Sequence, residues 1–71
     1  MNYMIYGKHK DDKRYGPTDL SSGRVGVGLL FATLIPDFEK AKEYASKLKD
    51  NCTDFSWQVR EAGKSKVVFK A

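Results

Sequence analysis

One cysteine, one histidine and two prolines are all that these 71 residues hold of the types that staple, ligate or break a chain. A lone Cys52 excludes an internal disulfide, and a free thiol suits a reducing compartment. Structural zinc takes four Cys or His ligands at recognisable spacing, and only Cys52 and His9 are present. No metal and no cofactor is therefore expected. The same two residues would need an acid such as Asp11 or Asp54 to make a nucleophile–base pair, and no spacing brings them together. No catalytic residue is assigned on that basis, and a Cys/His enzyme is the remote reading. Long hydrophobic runs are missing as well. The longest, Val25 to Ile35, is interrupted by Gly26 and Gly28 and falls short of the roughly 20 residues of a membrane helix. No basic segment followed by an apolar core opens the chain, so a cytoplasmic protein away from the membrane is expected.

What is present describes one small domain over residues 1–71. A hydrophobic fraction of 41% with 31% charged residues is that of a globular chain and not of a disordered tail. The net charge is +4. Between Asp37 and Asp50 four lysines meet four carboxylates, so the whole excess lies outside that segment. Binding depends on where charge is concentrated, and that distribution directs attention to the rest of the chain.

The segment Pro36 to Asn51 carries the clearest local signal. Phe38, Ala41, Ala45 and Leu48 recur at helical spacing and make one apolar stripe. Asp37 is a suitable N-cap, and Asn51 a candidate left-handed stop. Asn2 to Lys10 alternates as a first strand, with Tyr3, Ile5 and Gly7 on one side and Met4, Tyr6 and Lys8 on the other. Residues 11–23 contain Gly16-Pro17 and Ser22-Gly23 and read as a long loop. Arg24 to Leu34, nearly continuous in apolar character, reads as a second strand. Asp54 to Glu61 and Ser65 to Ala71 alternate as a hairpin around Ala62-Gly63-Lys64.

The expected fold is α+β: a ββαββ chain forming a four-stranded, mainly antiparallel sheet with one helix on one face. The direction of the chain through the helix favours strand order 2-1-3-4, with 1-2-4-3 also consistent. The core then joins the helical stripe to Ile5, Leu29, Phe31, Phe55, Trp57, Val59, Val67 and Phe69. The glycines at 23, 26 and 28 do not make a dinucleotide loop, because Leu29 to Ile35 intervenes before the helix. A bulge or a close approach of another surface explains them better.

Alternation leaves Tyr6, Lys8, Gln58, Arg60, Lys66 and Lys70 on the open face of the sheet, with Met4, Leu30 and Val68 adding an apolar patch. The long loop adds Lys13, Arg14, Tyr15 and Asp19, and Arg24 follows it. No carboxylate falls within the face set. Two readings follow. A protein partner or a homo-oligomer docks through the apolar and polar parts of the face and the loop. Alternatively, nucleic acid lies on a basic sheet carrying an aromatic. Tyr6 is the one ring that alternation puts on that face, and lysines on exposed sheets also serve solubility alone.

The pattern YMIYGKHKDDKRYGPTD, then SGRVGVGLLFAT and an alanine-bearing helix, resembles small uncharacterised proteins of bacterial phages and mobile elements. Asp12, Lys13, Arg14, Tyr15, Asp19, Gly23, Ala32 and Thr33 carry the resemblance. It implies a small bacterial accessory protein and no particular activity.

Overall fold

The alternating segment at the start of the chain forms the central strand of the sheet. In the computed structural model, which describes residues 2–71, β1 (Tyr3–His9) pairs antiparallel with β4 (Phe55–Glu61) from Tyr3 opposite Glu61 to His9 opposite Phe55. β5 (Val67–Lys70) completes that side. On the other side of β1 lie β2 (Gly16–Asp19) and then β3 (Arg24–Val25). The sheet has five strands in order β3-β2-β1-β4-β5. This corrects the expected four strands in order 2-1-3-4, although the run β1-β4-β5 matches its 1-3-4 portion.

The extra strand comes from the segment expected to be loop. Pro17 is tolerated in β2 because its own carbonyl faces outward, towards β3, where it accepts from Gly26 N at 2.8 Å and Val27 N at 3.2 Å. Its nitrogen shares that outward side, beyond the end of β3, so no ladder bond is lost.

Conversely, the expected strand from Arg24 to Leu34 stops after two residues. Gly26 adopts φ +82, which turns the chain off the sheet edge. Gly28 O then accepts from Phe31 N at 2.9 Å, closing a turn. The chain returns where β2 and β1 diverge. There Thr33 N donates to Thr18 O at 3.1 Å, and Ile35 and Tyr3 exchange bonds of 2.9 and 2.8 Å. Residues 26–32 therefore cross the sheet from its outer edge to the β2–β1 cleft. Leu29 sits beside Tyr6 and Arg60, so the crossing is over the face away from the helix. Arg60 is the cross-strand partner of Met4, and passage of the loop over that end explains why Met4 is buried on a nominally open face.

The helix α1 (Phe38–Asn51) packs on the opposite face, against β4 and β1. Its stripe behaves as its spacing predicts: Ala41 and Ala45 are fully buried, with Phe38 and Leu48 packed at the margins. The small alanines let the helix approach Ile5, Trp57 and Val59, the largest part of the core. Asp37 caps the helix, its Oδ1 accepting from Glu39 N at 2.9 Å. The C-terminus differs from expectation. Asn51 stays helical, and Cys52 N donates to Leu48 O at 2.7 Å with no left-handed residue. Asp37→Ala should cost about 0.5–2 kcal/mol in urea denaturation, whereas Asp37→Ser should recover most of it. Among the described residues no helix is long and apolar enough to cross a membrane.

Two parts of the expected core are corrected. Leu29 and Phe31 are 61% and 72% exposed, because they ride on the crossing loop and not on a strand. Ile35 is buried in the core instead, and Leu20 and Val25 pack against it. In β5 the register slips between Val59 and Arg60, so Arg60 lies opposite Val67 and Val68 is the one packed against the core. A bulge adds one residue to a strand and reverses the alternation beyond it. That reversal moves Val67 from the helix face to the open face.

Candidate interaction face

Three adjacent strands place a cluster of rings and cations opposite the helix. Tyr6 and Lys8 project from β1, and Gln58 and Arg60 from β4. Tyr15 directly precedes β2, one step beyond the Gly7–Gly16 pair, and so comes up beside Lys8. The Arg60 guanidinium carbon lies 4.1 Å from the centre of the Tyr6 ring and 5.9 Å from that of Tyr15. Lys8 Nζ lies 5.8 Å from the Tyr15 ring centre. Gln58 Oε1 accepts from Arg60 Nε at 3.3 Å and Nη2 at 3.1 Å, which fixes the guanidinium over Tyr6. Gln58 itself is buried. The result is a half-buried Tyr–Arg–Tyr arrangement in which the cation is held by a neutral side chain and by the ring faces.

Lys70, opposite Gln58, extends the cluster towards β5 and is exposed; Lys66 is exposed just before that strand, and beyond the bulge alternation no longer assigns it to this face, which corrects its expected place. The nearest carboxylate by sequence, Glu61, is engaged by Lys64 at 3.2 Å. The positive charge on the face therefore has no anionic side chain within the set.

The loop residues separate. Tyr15 joins the face. Lys13 and Arg14 are exposed in the β1–β2 connection, and Arg14 borders a shallow cavity of about 430 Å³ with Asp12, Gly7, Gly16 and Phe55. Asp19 and Arg24 sit opposite each other where β2 turns into β3. The Asp19 carboxylate accepts from Ser21 Oγ at 2.7 Å, Ser21 N at 3.0 Å and Ser22 Oγ at 3.0 Å. Those serine hydrogen bonds, the Ser21 hydroxyl first, hold its pKa below the usual aspartate value. Asp19 thus shapes the turn between β2 and β3, away from the ring cluster. The signal that would have placed Tyr15 is the alternation of Tyr15 and Pro17 against Gly16 and Thr18, which Gly16-Pro17 disguises as a turn.

Beside the cluster the crossing loop presents three consecutive apolar side chains to solvent: Leu29, Leu30 at 96% exposure and Phe31. Leu29 closes a small cavity of about 230 Å³ with Tyr6, Arg60, Gly63, Lys64 and Ser65, so tip and cluster are contiguous. A second, more apolar groove of about 540 Å³ runs between the sheet edge and the helix start, bordered by Leu20, Leu34, Ile35, Pro36 and Tyr44.

His9 and Cys52 are engaged separately. His9 packs edge-on against Phe55, and its Nδ1 accepts from Asp11 N at 3.2 Å. Cys52 caps the helix and packs against the core. Among the described residues no group of three or more His, Cys, Asp or Glu side chains converges as a metal site.

No protein-family model matches the chain, and neither a curated protein nor a solved structure does.

Proposed function

We propose that the chain is a non-enzymatic interaction module that docks on a protein partner through the crossing loop and the open face beside it. Leu29, Leu30 and Phe31 carry this reading. Three large apolar side chains in a row at 61%, 96% and 72% exposure are unfavourable in water and gain most from a partner that covers them. A second copy of the chain is the first partner to test, since so small a fold has little stability of its own and association would add to it. The role fits an accessory protein of a bacterial phage or mobile element, as the resemblance around Asp12, Lys13, Arg14 and Tyr15 implies.

Sedimentation equilibrium from micromolar to millimolar protein tests self-association directly, with chemical crosslinking in host lysate testing other partners. The double variant Leu30→Asp/Phe31→Asp should weaken association at least tenfold. Its unfolding free energy should stay within about 0.5 kcal/mol of the parent, because both side chains are already in water. A parent chain that stays monomeric throughout and crosslinks to nothing that the variant does not would overturn the proposal.

A further inference from the structure

We infer that the Tyr6–Arg60–Tyr15 cluster is a binding site for single-stranded nucleic acid, with bases stacking on the rings and guanidinium while Lys8 and Lys70 meet the phosphates. The inference concerns the ring cluster beside the docking loop, does not need the loop's apolar side chains, and rests on three features of the face.

The first is that Tyr6 on β1 and Tyr15 just before β2 have ring centres 4.1 and 5.9 Å from the carbon of one guanidinium. Aromatic and guanidinium planes presented side by side on a sheet are surfaces on which successive unpaired bases stack, irrespective of sequence. The second is charge. Lys8, Arg60 and Lys70 are cationic, no carboxylate belongs to the set, and on the other face the helix together with its Asp37 cap carries no net charge. A polyanion is thereby directed to this face and not to the opposite one. The third is preorganisation. Gln58 commits its carbonyl oxygen to Arg60 and so keeps the guanidinium over Tyr6. A base that meets the cluster therefore need not first order a long side chain.

An acidic peptide would use the cations and leave the rings idle, whereas a single strand uses both. A duplex hides its base faces and would use the cations alone. These differences make the experiment decisive. Fluorescence anisotropy would follow labelled oligo-dT and oligo-rA binding to the full chain, with a duplex and poly-glutamate as competitors. Both single strands should bind, with log affinity falling against log salt at a slope of about −2, as for roughly three phosphates neutralised on a single strand. Tyr6→Leu and Tyr15→Leu should each weaken binding at least fivefold while retaining most apolar packing, and circular dichroism would verify that both remain folded. Lys47→Glu, on the exposed side of the helix, should leave binding unchanged.

Absence of binding at low salt overturns the inference. Binding that ignores both tyrosine changes overturns it too, since that is polycation behaviour alone. If poly-glutamate or the duplex competes as well as the single strand, the face belongs to an acidic protein or to double-stranded DNA, and the inference falls.

Discussion

Replacing Trp57 with alanine should cost about 3–5 kcal/mol, as for other buried large-to-small changes of an aromatic. A chain of this size commands roughly 4–10 kcal/mol in total, at 0.05–0.15 kcal/mol per residue. The variant would thus lie close to its unfolding midpoint, with a melting temperature lower by about 15–30 °C. Trp57 earns that weight from its position. It is 3% exposed, it stacks on Phe55 at 5.4 Å between ring centres with 22° between the planes, and its six-membered ring covers Gly7. A Cβ at Gly7 would come 2.6 Å from Trp57 Cζ3, so the bare backbone is what admits the indole. Trp57 Nε1 is nevertheless buried with no hydrogen-bond partner. An unpaired buried donor costs about 1–3 kcal/mol, so Trp57→Phe trades lost contact for relief of that penalty and should cost no more than about 1 kcal/mol.

A double-mutant cycle isolates the contact. Gly7→Ala should cost about 1–3 kcal/mol in the parent, through overpacking against the indole. In the Trp57→Ala background the same change should cost far less, because the added methyl then fills vacated space. Urea denaturation followed by circular dichroism measures all four corners. Equal costs of Gly7→Ala in both backgrounds would show that the ring does not constrain that position.

The elements that were legible in the sequence are those whose side-chain pattern and backbone needs agree. The helical stripe from Phe38 to Leu48 and its Asp37 cap point to the same element, and the structure has it. The alternation in Tyr3–His9 and Phe55–Glu61 likewise assigns Ile5, Trp57 and Val59 to the core and Tyr6, Lys8, Gln58 and Arg60 to the other face. The failures lie where pattern and backbone disagree. An apolar run such as Leu29 to Phe31 reads as buried strand because hydrophobicity normally ends in burial. Here the φ of Gly26 and the acceptor on Pro17 lift it off the sheet, and neither is visible in a hydrophobic pattern. The bulge that exchanges Val67 and Val68 is equally silent, since both residues are valine. The sequence places Tyr15 only in a loop, and its arrival on the face depends on strand β2, which Gly16-Pro17 conceals. The proposed binding surfaces and the misread backbone therefore coincide: the exposed tip and the second ring both come from residues 11–34.

That coincidence makes the Gly16–Gly26 contact the point where fold and function are jointly vulnerable. An added Cβ at Gly16 would meet Gly26 Cα at 2.6 Å and Gly26 N at 2.9 Å. These are backbone atoms, which cannot rotate aside as a side chain does. Gly26 N is also the donor to Pro17 O, so displacing it loosens the bonds that tether the start of the crossing loop. Gly16→Ala should therefore cost about 2–3 kcal/mol, at the upper end for overpacking. The loss should be uneven, with amide exchange at Gly26 and Val27 accelerating well before that of β1 and β4. Gly26→Ala is the matched comparison. Nothing lies within 4 Å of its Cβ, but φ +82 opposes any side chain, so a conformational cost of about 1–2 kcal/mol is expected without a clash. In Gly16→Ala, Tyr15 and the Leu29–Phe31 tip both lose their support, so oligonucleotide binding and self-association should weaken together. In Tyr15→Leu only the first should weaken. If Gly16→Ala keeps parental stability and parental exchange at Gly26, the close approach between these two glycines does not hold the loop across the sheet.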